Sequence, residues 1–194
     1  MKKNNVLLKF LFIIWCTPFF AQAPVPSIEY QTLVDFYNAT EGDNWTNKWN
    51  ISSNNLHSSD WYGIVIENGH IVEIALRSNR IAGPIPASFS NLKQLRKLDL
   101  YGNDLITTDL ENISGLESLE ELDLGNCKLA GTIPNSWGQL TKLKSLVLYY
   151  NTFEGAIFNE IGNLTALETI NLSYNSFTSI PSAIGKLSSL KTLR

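Results

Sequence analysis

Residues 119–140 read LEELDLGNCKLAGTIPNSWGQL. Leu122 and Leu124 flank Asp123 in the alternation of a half-buried strand, with every second side chain turned inward. The Gly131-Thr132-Ile133-Pro134 segment then breaks the strand, because glycine loosens the backbone and proline lacks the donor a ladder needs. Leu119 has counterparts 24 residues away on both sides, Leu95 and Leu143, and a further one at Leu167. Ile71 fills the same place 24 residues before Leu95, and Leu190 lies 23 residues after Leu167.

The other columns keep this period. Ile74, Leu98, Leu122, Leu146, Ile170 and Leu193 form one, and Leu76, Leu100, Leu124, Leu148 and Leu172 the next. A polar column of Asn79, Asn103, Cys127, Asn151 and Asn175 follows. The unit is L-x-x-L-x-L-x-x-N-x-L-x-G-x-I-P-x-x-I-x-x-L. A single unit cannot bury enough surface to offset the entropy of ordering its chain, whereas stacked units share one continuous core. The strands are therefore expected to pair in parallel, with the glycine and proline segments returning behind them as 3₁₀ or irregular chain. The asparagine amides are expected to bond turning backbone that the ladder leaves unpaired, and Cys127 to sit buried and inert in the same slot.

This pattern resembles the leucine-rich repeat family, and Gly83-Pro84-Ile85-Pro86, Gly131-Thr132-Ile133-Pro134 and Ile180-Pro181 resemble its plant-type subclass. The resemblance covers roughly residues 71–194 and implies an α/β solenoid. That fold is an arc with a parallel concave sheet, a 3₁₀ and irregular convex side, and a capped first edge. Two units depart: Thr107 to Leu110 replace Gly-x-Ile-Pro, and Phe158 stands where proline is expected. Both changes fall on the convex side.

Working toward the amino terminus, Asn68-Gly69 between two apolar runs signals a hairpin whose second strand is also the first repeat strand. Tyr30, Leu33, Val34 and Tyr37 fall on one face of a short helix after Pro26 and Ser27. Trp61 and Gly63 match the C-x-W-x-G-V-x-C cap of plant-type ectodomains, while Ser59 and Ile66 occupy its cysteine places. No disulfide is expected there, and Trp45, Trp49 and Trp61 are expected to supply packing instead. In this the cap resembles disulfide-free bacterial versions. The expected organisation is a signal peptide at 1–23, a helix-plus-hairpin cap at 24–70, and five full repeats with a sixth cut short over 71–194.

The signal expectation rests on Lys2, Lys3 and Lys9, a short apolar run at Phe10–Trp15, and Ala21-Gln22-Ala23 near a cleavage site. Losing that segment takes the formal net charge from −3 to −6. An acidic chain with no basic face is not expected to bind nucleic acid. No stretch is long enough to span a bilayer. Two cysteines build neither a disulfide framework nor a zinc site, and no catalytic or phosphate-binding motif is present, so no cofactor and no enzymatic activity are expected.

Function is read from outward strand positions, which have no core duty. Ala75, Asp99, Asp123, Val147 and Asn171 form one such column. Arg77, Tyr101, Gly125, Tyr149 and Ser173 form the next, and Ser78, Gly102, Asn126, Tyr150 and Tyr174 the one after. Tyrosine combines broad contact area with a polar tip and is enriched at interfaces. Tyr149, Tyr150 and Tyr174 are expected to cluster, with Tyr101 two strands away, beside acids at Asp99, Asp123 and Glu121. Together with Arg77 these residues are the candidate ligand-binding face. The expectation is a secreted or cell-surface module binding a protein or peptide on its concave side. Two alternatives stand beside it: the recognition arm of a larger receptor or enzyme continuing past Arg194, and a glycan-binding adhesin.

Overall fold

The computed structural model describes residues 25–51 and 61–194. The expected signal peptide, and the loop holding His57 and Ser59, lie outside the described residues. The L-x-L stretches form a seven-stranded sheet that opens with an antiparallel hairpin, Ile64–Glu67 against His70–Ala75. Parallel strands follow in chain order: Lys97–Asp99, Glu121–Asp123, Ser145–Val147, Thr169–Asn171 and Thr192–Leu193. The register steps by one repeat each time, so Ala75, Asp99, Asp123, Val147 and Asn171 stand side by side. Asn68 and Gly69 both take positive φ, 50° and 80°, as a tight hairpin turn demands.

Behind the sheet the chain returns through 3₁₀ runs at Ala87–Asn91, Asn135–Gln139, Asn159–Asn163 and Ser182–Lys186. Pro86, Pro134 and Pro181 precede three of them in extended geometry. Phe158 reaches the same geometry, φ −61° and ψ 139° against −62° and 135° for Pro134, so the proline is dispensable there. The second repeat differs more. Its 3₁₀ run spans Thr107–Gly115 and starts well before Glu111, where the register of its neighbours would place it. There Thr107 to Leu110 replace the whole Gly-x-Ile-Pro segment, not its proline alone.

The inward columns form one core from cap to last repeat: Ile74, Leu98, Leu122, Leu146 and Ile170 are all at most 1% exposed. The cap helix spans Ser27–Ala39 and buries Leu33, Phe36 and Tyr37. Phe36 packs on Phe89 at 4.9 Å between ring centroids. Trp45, Trp49 and Trp61 are buried in the cap core, where Trp49 lies 4.8 Å from each of the other two rings. Two polar side chains also enter the helix's inner face. Thr32 hydroxyl reaches the Ser88 carbonyl at 3.1 Å. Buried Glu29 bonds His70 Nδ1 at 2.7 Å and accepts the Ile71 N–H at 2.9 Å, joining helix to hairpin. An apolar face drawn from Tyr30, Leu33, Val34 and Tyr37 misses both contacts, because helical spacing identifies the buried arc but not a polar group satisfied inside it.

Candidate functional site

Each strand ends in a turn whose successive residues meet opposite fates. Asn151 is 7% exposed and spends its amide on backbone. Its Oδ1 accepts the N–H groups of Cys127 and Leu129, both at 3.0 Å, and Nδ2 donates to the carbonyls of Leu124 and Leu148. Asn103 does the same toward Asn79 and Ile81 N–H and the Leu76 and Leu100 carbonyls. Asn175 continues the column with Phe153 N–H and the Leu148 and Leu172 carbonyls. Asn79, at the first repeat, instead takes the Asn47 N–H at 2.7 Å and so binds the cap. Cys127 keeps the donor half: its thiol lies 3.1 Å from the Leu100 carbonyl. Burial pushes that thiol up to about 12, outweighing the pull of the Asn103 and Gly102 N–H groups.

One residue earlier, the column Ser78, Gly102, Asn126, Tyr150 and Tyr174 takes positive φ throughout, between 50° and 72°. Glycine and asparagine suit that backbone, whereas a bulky aromatic is strained in it. Tyr150 and Tyr174 nonetheless stand there, 53% and 67% exposed, with rings stacked 4.2 Å apart at 5°. Tyr149 meets Tyr150 edge-on at 5.5 Å. Hydrogen bonding to Tyr101 and then burial raise the Tyr149 hydroxyl to about 12, and Tyr174 raises that of Tyr150.

Tyr101 joins this cluster directly, stacked on Tyr149 at 5.7 Å although a whole repeat separates them. Gly125 is the reason. A Cβ at that position would lie 2.7 Å from Tyr149 Cε1, so only the bare backbone lets the ring lean across. The glycine between two tyrosines in one outward column was the signal available for this contact. Arg77 closes the row, its guanidinium 4.5 Å over the Tyr101 ring. An unbroken ladder Arg77–Tyr101–Tyr149–Tyr150–Tyr174 thus walls one side of the concave face.

The acids lie along its foot. Arg77 Nη1 donates to Asp99 Oδ2 at 2.8 Å and to Asp123 Oδ2 at 3.1 Å. Asp99 and Asp123 also accept the N–H two residues on, from Tyr101 and Gly125. Asp99 is only 7% exposed, so the structure removes it from the freely accessible carboxylates and makes it an anchor for Arg77. Asp123 is more open, and burial raises its carboxyl above the usual range, with Asp99 adding to the rise and the Gly125 N–H and Arg77 opposing it. On the far border Lys97 bonds Glu73 at 3.1 Å and reaches Glu121 only at 4.0 Å. Neighbouring outward positions of the fourth and fifth repeat strands, Ser145, Val147, Thr169 and Asn171, carry no charge.

The sequence matches the leucine rich repeat models over residues 69–129 and again over 142–164 and 166–187, together more than half of the chain. A leucine-rich repeat receptor protein kinase of Arabidopsis thaliana, EMS1, is 36% identical over 77 residues. That stretch is 40% of this chain and 6% of the kinase, so the chain corresponds to a small part of that relative. Among solved structures, the BIR3–SERK2 complex from Arabidopsis thaliana superposes with a TM-score of 0.70 at 26% identity, covering 84% of this chain and 92% of the other. The plant peptide hormone receptor RGFR1 in complex with RGF2 matches at TM-score 0.58 and 31% identity, over 62% of this chain and 19% of the receptor.

Proposed function

The chain belongs to the leucine-rich repeat family, and from that premise we propose that it is a non-enzymatic recognition module that binds a protein or peptide on its concave face. The observation that carries this reading is the tyrosine ladder. Tyr150 and Tyr174 occupy left-handed backbone that costs an L-residue ~1–2 kcal/mol, and their rings remain half exposed or more. Nothing in the core requires them. Strain kept at an exposed aromatic is explained by a duty outside the fold.

The ladder is also pre-organised. Ring stacking and the Arg77 contact hold five side chains before any ligand arrives, which lowers the ordering cost of association. Similarity to a receptor solved with a peptide hormone supports a peptide as the ligand class. Export completes the proposal: residues 1–23 serve as a signal peptide ahead of the cap at 24–70 and repeats at 71–194, in a disulfide-free form outside the cell. Among the described residues no helix is long and apolar enough to cross a membrane.

The test is capture of the partner by a variant in which Tyr149 and Tyr150 are both alanine. Partner recovered from the native host's surface or medium should bind at least about tenfold more weakly, as expected when two interface tyrosines are truncated. An undiminished affinity, with an unchanged melting curve, moves the site off this face.

A further inference from the structure

We infer that the ligand is an extended segment presenting a Lys or Arg side chain to Glu121 and Asp123 and an apolar or aromatic side chain to Tyr149 and Tyr150; the inference rests on the concave-face reading above. A shallow depression of about 200 Å³ lies in the middle of the sheet. Glu121 and Asp123 line it with Ser145 and Val147, and Arg77 and Lys97 close its first-repeat side. Charge along the face is uneven. Glu73, Asp99, Glu121 and Asp123 outnumber Arg77 and Lys97, whereas the next two strands offer no charge.

The internal cations do not neutralise these acids equally. Arg77 and a backbone N–H hold Asp99, and Lys97 is drawn to Glu73. Glu121 is left with the 4.0 Å approach of Lys97 and a side chain 58% exposed. Arg77 itself displays how this face receives a guanidinium: carboxylates below, an aromatic ring against its plane. A second cation placed further along the face meets Asp123, the counterpart of Asp99, with Glu121 beside it, and the Tyr149 ring, which leans over Gly125, the counterpart of Tyr101.

Geometry then sets the spacing. Adjacent strands stand ~4.8 Å apart, and same-facing side chains of an extended chain are ~6.6 Å apart. A segment running across the strands with its cation over Glu121 and Asp123 therefore brings the residue two places away over the fourth and fifth repeats, beside Tyr149, Tyr150 and Val147. The recognised pattern is a cationic residue and an apolar one separated by a single position.

Selection of phage-displayed random dodecapeptides on the immobilised full chain tests this. The expected outcome is enrichment of Lys or Arg two places from an apolar or aromatic residue. A selected peptide should lose about tenfold in affinity on Glu121→Lys, since like charge opposes the contact, and selection on that variant should turn to Asp or Glu. Glu121 is exposed, and an unchanged melting curve shows that E121K folds. Peptides that need Tyr149 and Tyr150 but carry no cationic preference overturn this inference and leave the concave-face reading standing. Peptides indifferent to Tyr149→Ala with Tyr150→Ala, or no enrichment at all, overturn both.

Discussion

Tyr150 and Asn151 are consecutive residues of one turn, and their surroundings are opposite. Asn151 is enclosed by the stack, with both amide atoms bonded to backbone of its own and the preceding repeat. Tyr150 stands exposed on strained backbone, its ring packed against those of Tyr149 and Tyr174. Tyr174 and Asn175 repeat the contrast one unit later. A solenoid thus devotes one column of each turn to holding repeats together and leaves the adjacent column open to change. In this chain the open column was filled at a cost in backbone strain.

The contrast breaks first if Asn151 is dispensable. Asn151→Ala strands the Cys127 and Leu129 N–H groups and the Leu124 carbonyl in the interior, while Asn175 still serves the Leu148 carbonyl, and each orphaned group costs at least ~1 kcal/mol. We expect a loss of about 3 kcal/mol, read from chemical denaturation. A loss under about 1 kcal/mol would show that backbone rearrangement satisfies those groups without the amide.

Cys127 sharpens the same side of the comparison, because it supplies the donor without the amide oxygen. Cys127→Asn restores an acceptor and should stabilise by about 1 kcal/mol. The thiol also carries a pH signature. Folding raises its pKa from 9.0 to about 12, so the folded state holds its proton where the unfolded chain has released it. Its stabilising contribution is complete below pH 9 and is lost as pH rises toward 12. Cys127 of the native protein at pH 8 should therefore resist iodoacetamide, and its labelling should proceed in 6 M guanidinium chloride. Rapid labelling at Cys127 in the native protein would contradict a buried thiol.

How much of this was legible beforehand follows from where the information lies. A 24-residue period sets which side chains share a column, so strand register and the neighbours of Asp123 were readable from spacing alone. Whether a column faces inward was readable from L-x-L alternation. Side-chain lean was not: Tyr101 meets Tyr149 only because Gly125 lets a ring cross a repeat. Nor was the fate of the acids, since Arg77 buries Asp99 and holds Asp123 through its own reach along the face. Gly102 and Asn126 in the Tyr150 column did advertise positive φ, the one sign of strain that a sequence can carry.

Gly125 offers a smaller perturbation that acts on the tyrosine ladder and not on the asparagine column. Its backbone is not in the left-handed region, so Gly125→Ala adds only a methyl group, aimed at Tyr149. The ring should swing out and leave Tyr101, at a stability cost of about 0.5 kcal/mol for one weakened aromatic pair. Near-UV circular dichroism should fall as the tyrosine stack opens. Partner affinity should weaken as well, because the wall loses its continuity. An unaltered tyrosine spectrum would mean that Tyr149 is held by something other than the space above Gly125.

Tyr150→Asn carries the comparison to its limit, for it should leave stability almost untouched. Asparagine tolerates left-handed backbone and already occupies the equivalent position in the preceding repeat at Asn126. Relief of ~1 kcal/mol of strain offsets the ~0.5–1.5 kcal/mol lost with the stacked Tyr174 ring. The melting temperature should therefore stay within about 2 °C, given how little so small a difference moves a domain of this size. Partner capture should nonetheless fall by about tenfold, since a central tyrosine has been removed from the wall. Stability lost in step with binding would make Tyr150 part of the scaffold. Stability kept while binding collapses separates the two columns, and shows that the strain at residue 150 is maintained for what the ring touches outside the fold.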